Sequence, residues 1–503
     1  MEEDAPQRTW LDRVDELAAQ HPNVEAVVIA GPAREAFTWN ELSRRTAGIA
    51  REFARRGVKQ GDTVSIRLPN NAAFILSALA SWRLGATVLP LRWDMPAPEV
   101  EQLFELAKPV LVIAETAGED RTLSADEVMA IPAADPDTGR PHPAASPAFM
   151  IASGGSTGTP KIIATQIDTV LGEGNMRFPG GRSSFADNSD HKHPTHLVCT
   201  PLYHTHGFVL FCRTLVEDFR NVIMPKFEVE AFLDHVEQEK ITFVALVPTM
   251  VVRLVKSETI RSRDLSSLET AILGAGATPD WAVRQWIDVI GPETLLMGYG
   301  MSESLVASFI RGSEWLEHPG SVGKPILSDA QVFDEGGNPL PPGEVGELYY
   351  RPQGGGEHGF KYLGNAKIRT LPGGWASVGD LGKIDEDGYM YIVDRRTDMV
   401  VTGGANVFVT EVEAALLSLP DVADAVVIGL PDPEWSRRVH AIVVLREGAS
   451  TDGADDRLRA HCRTRLASYK APRSFEYLPD LGRSDAGKIN RQALARAREK
   501  EQA

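Results

Sequence analysis

Short β-branched runs alternate with helix-length segments as far as residue 297, and this alternation constrains the fold more than any other feature of the chain. Residues 38–57 predict a helix: Thr38 and Glu41 fit a capping box, Leu42, Thr46, Ile49 and Phe53 share a face, and Gly57 ends it. Strand-like Thr63–Leu68, Thr87–Leu91 and Leu111–Ala114 follow, with a helical stretch from Ala72 to Leu84 between the first two. A second series of apolar runs lies at 197–200, 222–224, 243–248, 270–273 and 294–297. Such alternation implies βαβ units and largely parallel sheets, whose ligands sit beyond the carboxyl ends of the strands. The polar stretches 116–147 and 173–195 are expected to be excursions, with His191 and His193 solvated.

Residues 320–393 differ in character. Gly346–Tyr350 and Gly388–Val393 alternate apolar and polar residues between Gly-Gly, Asp-Gly and Pro-Pro punctuation, which predicts a small antiparallel β unit. Beyond Asp394, a capping box at Thr410 and Glu413, β-branched runs at 422–430 and 439–445, and a helix over about 455–467 predict a compact α+β domain. The expected fold class is therefore α/β. A large N-terminal domain, 1–394, would hold two parallel βαβ subdomains and a β-barrel-like subdomain at about 320–394. A smaller C-terminal domain, 395–503, would follow, with the hinge near 394–398.

A length of 503 residues allows several cores, and the hydrophobic content of 43% fits a globular protein. The formal net charge of −17 argues against a general nucleic-acid binder and against attraction to anionic membranes. No apolar run is long enough to span a bilayer, and Met-Glu-Glu-Asp at the N-terminus lacks the basic region of a secretory signal. Cys199, Cys212 and Cys462 are odd in number and far apart, so a reducing cytoplasm is expected.

Three strand ends carry functional residue types: Pro201-Leu-Tyr-His-Thr-His-Gly207, Gly274-Ala-Gly-Ala277 and Gly298-Tyr-Gly-Met-Ser-Glu303. A fourth stretch, Ile151-Ala-Ser-Gly-Gly-Ser-Thr-Gly-Thr-Pro-Lys161, combines turn-permitting glycines, hydroxyl donors and one mobile cation. Backbone N–H groups in such a stretch can cradle an anion. It is not a Walker A loop, because Pro160 stands at the required glycine and Ile162 at the metal-binding hydroxyl. Taken alone, it fits both a surface loop and a phosphate site.

Together these motifs resemble the adenylate-forming (ANL) superfamily of acyl- and aryl-CoA synthetases, adenylation domains and luciferases, from the Thr38 helix to Gly487-Lys488. Ser153–Lys161 resembles the family's phosphate loop, Tyr299–Glu303 its adenine and Mg²⁺ motif, Gly374–Asp380 its ribose motif, and Asp394-Arg395 with Asp398 its hinge. The resemblance implies an ATP-dependent, AMP-forming acyl-CoA synthetase using ATP, Mg²⁺ and coenzyme A. A carboxylate would attack the α-phosphorus of ATP, giving an acyl-adenylate and pyrophosphate; a thiol would then displace AMP.

On that resemblance Ser153, Gly154, Gly155, Ser156, Thr157, Gly158 and Lys161 hold the departing phosphates. Gly276, Ala277, Gly298, Tyr299, Gly300 and Ser302 surround adenine and the α-phosphate, Asp380 binds ribose, Arg395 reaches the ribose or a phosphate, and Glu303 holds the metal. Lys488 bridges carboxylate and α-phosphate, and His204 gates the acyl pocket. By residue type alone Lys488 reads as a solvated lysine, and His204 reads equally as a core histidine or a gate. The acyl pocket is expected from His204, Phe208, Val247, Gly274, Met301 and Leu305. These are mostly apolar or small, which favours an apolar small-molecule acid. Gly403 and Gly404 resemble the glycines of the pantetheine tunnel, and Lys470 is placed to meet a CoA phosphate.

Two departures stand out. Thr397 occupies the hinge position where many relatives have Asp or Lys, and Ser436-Arg437-Arg438 replaces a usual Gly-Glu-Arg. The C-terminal domain is nevertheless expected to be mobile, and a homodimer is expected by base rate. Two alternatives remain: a stand-alone adenylation enzyme loading a carrier protein, and a non-catalytic nucleotide-binding relative.

Overall fold

The computed structural model describes residues 7–118, 121–137, 141–154, 160–171, 193–326, 328–356 and 358–502. Its largest sheet has nine strands. The middle six, in spatial order Leu295–Gly300, Thr270–Leu273, Phe243–Leu246, Thr195–Val198, Arg220–Ile223 and Glu25–Ile29, are parallel. Antiparallel strands close both edges. A second sheet of four parallel strands is built from Thr87–Pro90, Thr63–Arg67, Leu111–Ala114 and Thr122–Ser124. The two expected βαβ units are thus present. However, Glu25–Ile29 belongs to the larger sheet, which it reaches by a pairing with Arg220–Ile223 that local pattern does not reveal.

The helices form where capping and apolar spacing agree. Trp39–Arg55 begins on the Thr38/Glu41 capping box and buries Leu42, Thr46, Ile49 and Phe53. Ala72–Arg83 is buried all round, because it lies between the Trp39–Arg55 helix and the four-stranded sheet. Part of the expected 116–147 excursion is ordered: Thr122–Ser124 adds the fourth strand, and Ser124 and Glu127 cap the helix Ala125–Ala130. The cores of the two α/β units are joined by polar staples. Asn70 donates to the carbonyls of Thr200 at 3.0 Å and Met224 at 3.2 Å and accepts from the Leu202 N–H at 2.8 Å.

The β-rich unit is a six-stranded sheet built from 328–395. Two strands of the 320–394 stretch lie outside it. Lys324–Ile326 extends the nine-stranded sheet, and Phe360–Leu363 pairs with Pro160–Thr165 beside the candidate phosphate loop. The C-terminal unit packs the helices Val409–Leu417 and Ala454–Arg463 on a three-stranded sheet of Val422–Asp432, Ser436–Leu445 and Ser474–Tyr477. The capping box expected at Thr410 and Glu413 does not form. The helix starts on Phe408, Thr410 donates to the Val393 carbonyl, and Glu413 is drawn away by Arg491, which binds it through three contacts of 2.8–3.2 Å. Charge pairing over 78 residues outweighs the local cap. Among the described residues no helix is long and apolar enough to cross a membrane.

Candidate active site

The candidate loops at 274–277 and 298–303 lie at or beyond the carboxyl ends of parallel strands. Phe243–Leu246 and Thr270–Leu273 run in register, and the chain turns after Leu273 through Gly274 and Ala275, the latter at φ +66. A Cβ on Gly274 would stand 3.0 Å from the Gly298 carbonyl and 3.4 Å from His206 Cε1, and one on Gly276 would stand 3.2 Å from Pro248 Cγ. Side chains at these two glycines would crowd the Gly298 carbonyl and Pro248, so the glycines let the turn approach its neighbours closely. Ser304, at φ +53, holds a second left-handed position directly after Glu303. Two side chains in this costly region flanking one cleft are a usual mark of a functional site.

The strands Met150–Gly154 and Pro160–Thr165 pair antiparallel, with Ser153 opposite Lys161 and Gly154 opposite Pro160. Gly155, Ser156, Thr157 and Gly158 lie outside the described residues. Lys161 Nζ sits 2.9 Å from Glu303 Oε1 and 3.0 Å from Tyr362 Oη, over the Tyr362 ring at 4.2 Å from its centroid. Tyr362 in turn donates to Glu303 Oε1 at 2.7 Å. Burial first, and then the Glu303 charge, push the Tyr362 phenol well up, so it acts as a proton donor to the carboxylate. Tyr362 is absent from the sequence reading. It arrives through the pairing of Phe360–Leu363 with Pro160–Thr165, across about 200 residues.

Glu303 is 6% exposed. Among the described residues its second oxygen, Oε2, takes no hydrogen bond. A buried carboxylate with one oxygen held and one open suits a hard cation that draws its other ligands from phosphate and water. No group of three or more ligating side chains occurs among the described residues, so a cage made only of protein is not the geometry on offer.

The candidate ribose site is also assembled from several elements. Tyr299 donates to Asp380 Oδ2 at 2.6 Å and meets the hydroxyl of buried Tyr350 at 3.1 Å, while Arg395 Nε donates to Asp380 Oδ1 at 3.1 Å. Asp380 and Arg395 are register partners in the antiparallel pair Asp380–Ile384 and Met390–Arg395. Ser302 Oγ meets Thr205 Oγ at 2.7 Å, tying the start of the helix Thr205–Val216 to the Tyr299–Glu303 loop.

Lys488 comes from the C-terminal unit. Its loop is docked on the N-terminal one: a Cβ on Gly487 would stand 2.4 Å from Thr249 Oγ1, and Tyr203 Oη donates to Asp485 Oδ2 at 3.2 Å. The docking also rests on Lys256, whose Nζ donates to the Val422 carbonyl at 2.7 Å. Lys488 stays open to solvent in the cleft, yet the walls desolvate it enough to lower its pKa. The Arg395 charge lowers it further and the Glu303 charge opposes this, so all three groups share one field. Burial first, then the Lys488 and Arg92 charges, bring the His204 pKa down to about 3, leaving a neutral ring near neutral pH. Burial, opposed by a hydrogen bond to the Leu246 carbonyl and joined by the Lys488 charge, brings His206 down to about 4.

Other expected residues are held apart. Phe208 is fully buried against Phe74, Trp82 and Phe149, and Leu305 packs in the core of the β-rich sheet, so neither needs a ligand to cover it. Val247 caps the helix Pro248–Val255 and is 2% exposed, while Met301 is half-buried beside that β core. Lys470 Nζ is paired with Glu411 at 2.7 Å, and Trp435 lies where a Cβ on Gly403 would be, 2.4 Å from its ring. Gly404 has open space around it, and Thr397 Oγ1 donates to Asp398 at 3.2 Å.

A model of the AMP-binding enzyme family matches residues 14–356, and that of its C-terminal domain matches 411–488. The chain is an AMP-binding enzyme. It is 33% identical over 486 residues to a feruloyl-CoA synthase of an Amycolatopsis species, covering 94% of this chain and 95% of the relative. It is 30% identical over 478 residues to a 2-succinylbenzoate–CoA ligase of Geobacillus kaustophilus, covering 93% and 94%. The o-succinylbenzoate CoA synthetase of Bacillus subtilis, solved with its acyl-adenylate intermediate, superposes with a TM-score of 0.78 at 25% identity, covering 97% and 98%. The AMP-binding enzyme described here is an adenylate-forming, ATP-dependent acid–CoA ligase using ATP, magnesium and coenzyme A.

Proposed function

We propose that the residues of this cleft divide the ligase reaction among them and that the acid they activate is apolar. Tyr299 and the Gly274–Ala277 turn receive adenine, Asp380 and Arg395 hold the ribose, and Lys161 neutralises the departing pyrophosphate. Glu303 supplies a protein ligand to Mg²⁺, which when bound withdraws charge from the phosphates. Lys488 lies between the two anions that must meet, the carboxylate and the α-phosphate, and stabilises charge as their bond forms. No general base is required, since a carboxylic acid is already ionised near neutral pH.

The observation that carries this reading is the docked loop Ser484–Lys488, fixed by the close approach of Gly487 to Thr249 and by the Tyr203–Asp485 bond. It brings Lys488 of the C-terminal unit into the field of Glu303 and Arg395. We further propose that this orientation serves the first half-reaction and that a rotation near 394–398 presents the glycines at 403–404 for the second. The small, neutral lining (His204, His206, Gly274, Gly298 and Met301) supports an apolar acid. A reducing cytoplasm accords with three free, buried cysteines. A homodimer is the assembly we expect, and sedimentation equilibrium measures it.

The test is Lys488→Ala. Adenylation, read as pyrophosphate release, is expected to fall by about 10²–10³. Thioester formation from pre-made acyl-adenylate should persist, and an unchanged first step would refute the assignment.

A further inference from the structure

The helix Pro248–Val255 meets the C-terminal unit at both of its ends. Thr249 in its first turn lies against Gly487, and Lys256 is its C-terminal cap. The two positions are two turns apart, so they share one face of the helix and are separated by about 10 Å along its axis. Lys256 Nζ donates to the Val422 carbonyl at 2.7 Å and to the Leu419 carbonyl at 3.4 Å. Its own carbonyl accepts from Arg446 Nη2 at 3.4 Å, so side chain and main chain both bond to the C-terminal unit.

The carbonyls that Lys256 holds belong to the frame of that unit. Leu419 and Val422 bracket the turn between the helix Val409–Leu417 and the strand Val422–Asp432, and Val422 is fully buried in the core there. Two residues further along the strand, Arg483 binds Asp424 at 2.7 and 3.0 Å and donates to the Ala425 carbonyl at 2.9 Å. The same guanidinium donates to the Gly487 carbonyl at 3.1 Å. The loop beyond is closed on itself: the Gly487 N–H donates to the Ser484 carbonyl at 2.7 Å, and the Ser484 N–H to the Lys488 carbonyl at 2.9 Å. Short polar contacts therefore run from Lys256 through the start of the strand and Arg483 to the main chain beside Lys488.

The Thr249 and Tyr203 contacts both fall on residues 485–487, and by themselves they leave the C-terminal unit free to pivot about that loop. A second point of attachment two helical turns away removes the pivot. A cation that must meet two anions is sensitive to such freedom, since a misplacement of about 1 Å can cost 10²-fold in rate.

We infer that Lys256 is a positioning residue for the first half-reaction: it holds the frame of the C-terminal unit to the N-terminal one and, through Arg483, sets where Lys488 meets the reacting anions. The inference rests on the role proposed for Lys488 and extends it to a residue outside the set that receives nucleotide and acid.

Pyrophosphate release and CoA-dependent consumption of pre-made acyl-adenylate, both measured on the full chain, test this. Lys256→Met should lower kcat of the first by about 3–30-fold, the worth of one hydrogen bond from a half-buried charged donor, with KM for ATP and the second step unchanged. Lys256→Arg, which keeps a charged donor, should retain most of the parent rate. Arg483→Met cuts the same chain of contacts further along and should give the same split, with the intact second step as its folding control. In a Lys488→Ala background Lys256→Met should add nothing, because the group it positions is gone. The inference is overturned if Lys256→Met or Arg483→Met leaves the first step within about twofold of the parent, or if either lowers both half-reactions equally. It is also overturned if Lys256→Arg loses as much as Lys256→Met, or if Lys256→Met slows Lys488→Ala as much as it slows the parent. An unchanged first step in Lys488→Ala alone is a separate result, and it removes the role of that lysine on which the inference rests.

Discussion

Replacing Gly487 by alanine should separate the two half-reactions. Gly487 has φ +70, where a side chain costs roughly 1–2 kcal/mol. Its new Cβ would also stand 2.4 Å from Thr249 Oγ1 and 3.0 Å from Cγ2. Thr249 is β-branched and lies in the first turn of Pro248–Val255, so it cannot swing aside freely. Overpacking of this kind adds about 1–3 kcal/mol. Both costs fall on the docked orientation; only the backbone cost persists when the loop is undocked. Stopped-flow pyrophosphate release should therefore slow by about 5- to 150-fold, since each 1.4 kcal/mol is one decade. CoA-dependent consumption of pre-made acyl-adenylate should be unaffected and serves as the folding control. Adding Thr249→Ala removes the clash and should restore most of the first-step rate, while the backbone cost, common to both orientations, remains as a loss of stability. A Gly487→Ala enzyme with a first-step rate within about twofold of the parent would refute the docking argument, because the steric term alone exceeds that.

Tyr362→Phe keeps the ring beneath Lys161 but removes the hydroxyl that holds Glu303 Oε1, so the magnesium concentration for half-maximal pyrophosphate release should rise about fivefold. A magnesium titration that superimposes on the parent curve would rule that role out. Elsewhere, Arg83, 5% exposed, binds Asp15 at 2.9 Å, and His142 binds the same carboxylate at 2.9 Å. Burial alone would raise the Asp15 carboxyl, but the His142 and Arg83 hydrogen bonds and the Arg83 charge hold it well below the usual range. A depressed acid stabilises the fold above its unfolded pKa, near 3.9, and loses that contribution as the pH falls through and below this value. Urea midpoints of Asp15→Asn should thus be lower than the parent's at neutral pH and converge with them in acid. Parallel midpoint curves would refute the linkage.

What could be read in the residues was whatever contiguous chemistry decides. The Thr38/Glu41 cap needs residues three apart, and the turns at 274–277 and 298–303 put small residues and a carboxylate together in one short stretch. What escaped depends on distant partners. Tyr362 looks like an ordinary strand tyrosine until its strand joins the hairpin of Met150–Gly154 and Pro160–Thr165, and Asn70 looks like a helix-start residue until it staples Thr200 and Met224. Thr410 and Glu413 have the spacing of a cap, yet Arg491 claims the carboxylate. The 411–470 ion pair escaped for the same reason: Lys470 reads as a free cation in sequence, whereas in the fold Glu411 already satisfies it. Phe208 has the composition of a pocket residue, but its place in the helix Thr205–Val216 turns it into the core.

Asp394 makes a contact whose effect is kinetic. Its buried carboxylate accepts from the N–H of Arg395 and, at 2.7 Å, from the N–H of Val409, the first residue of the C-terminal unit's leading helix. Any rotation within 395–398 pulls Val409 away from Asp394. A hydrogen bond to a charged, buried group contributes about 1.5–3 kcal/mol, and leaving such a group unpaired costs more. The rotation proposed above would thus begin uphill whatever drives it. The C-terminal unit is then not a weight on a loose tether that drifts through intermediate angles. In the proposed rotation it would behave as a latch with a detent, the Asp394 contact favouring the docked position over angles just beyond it.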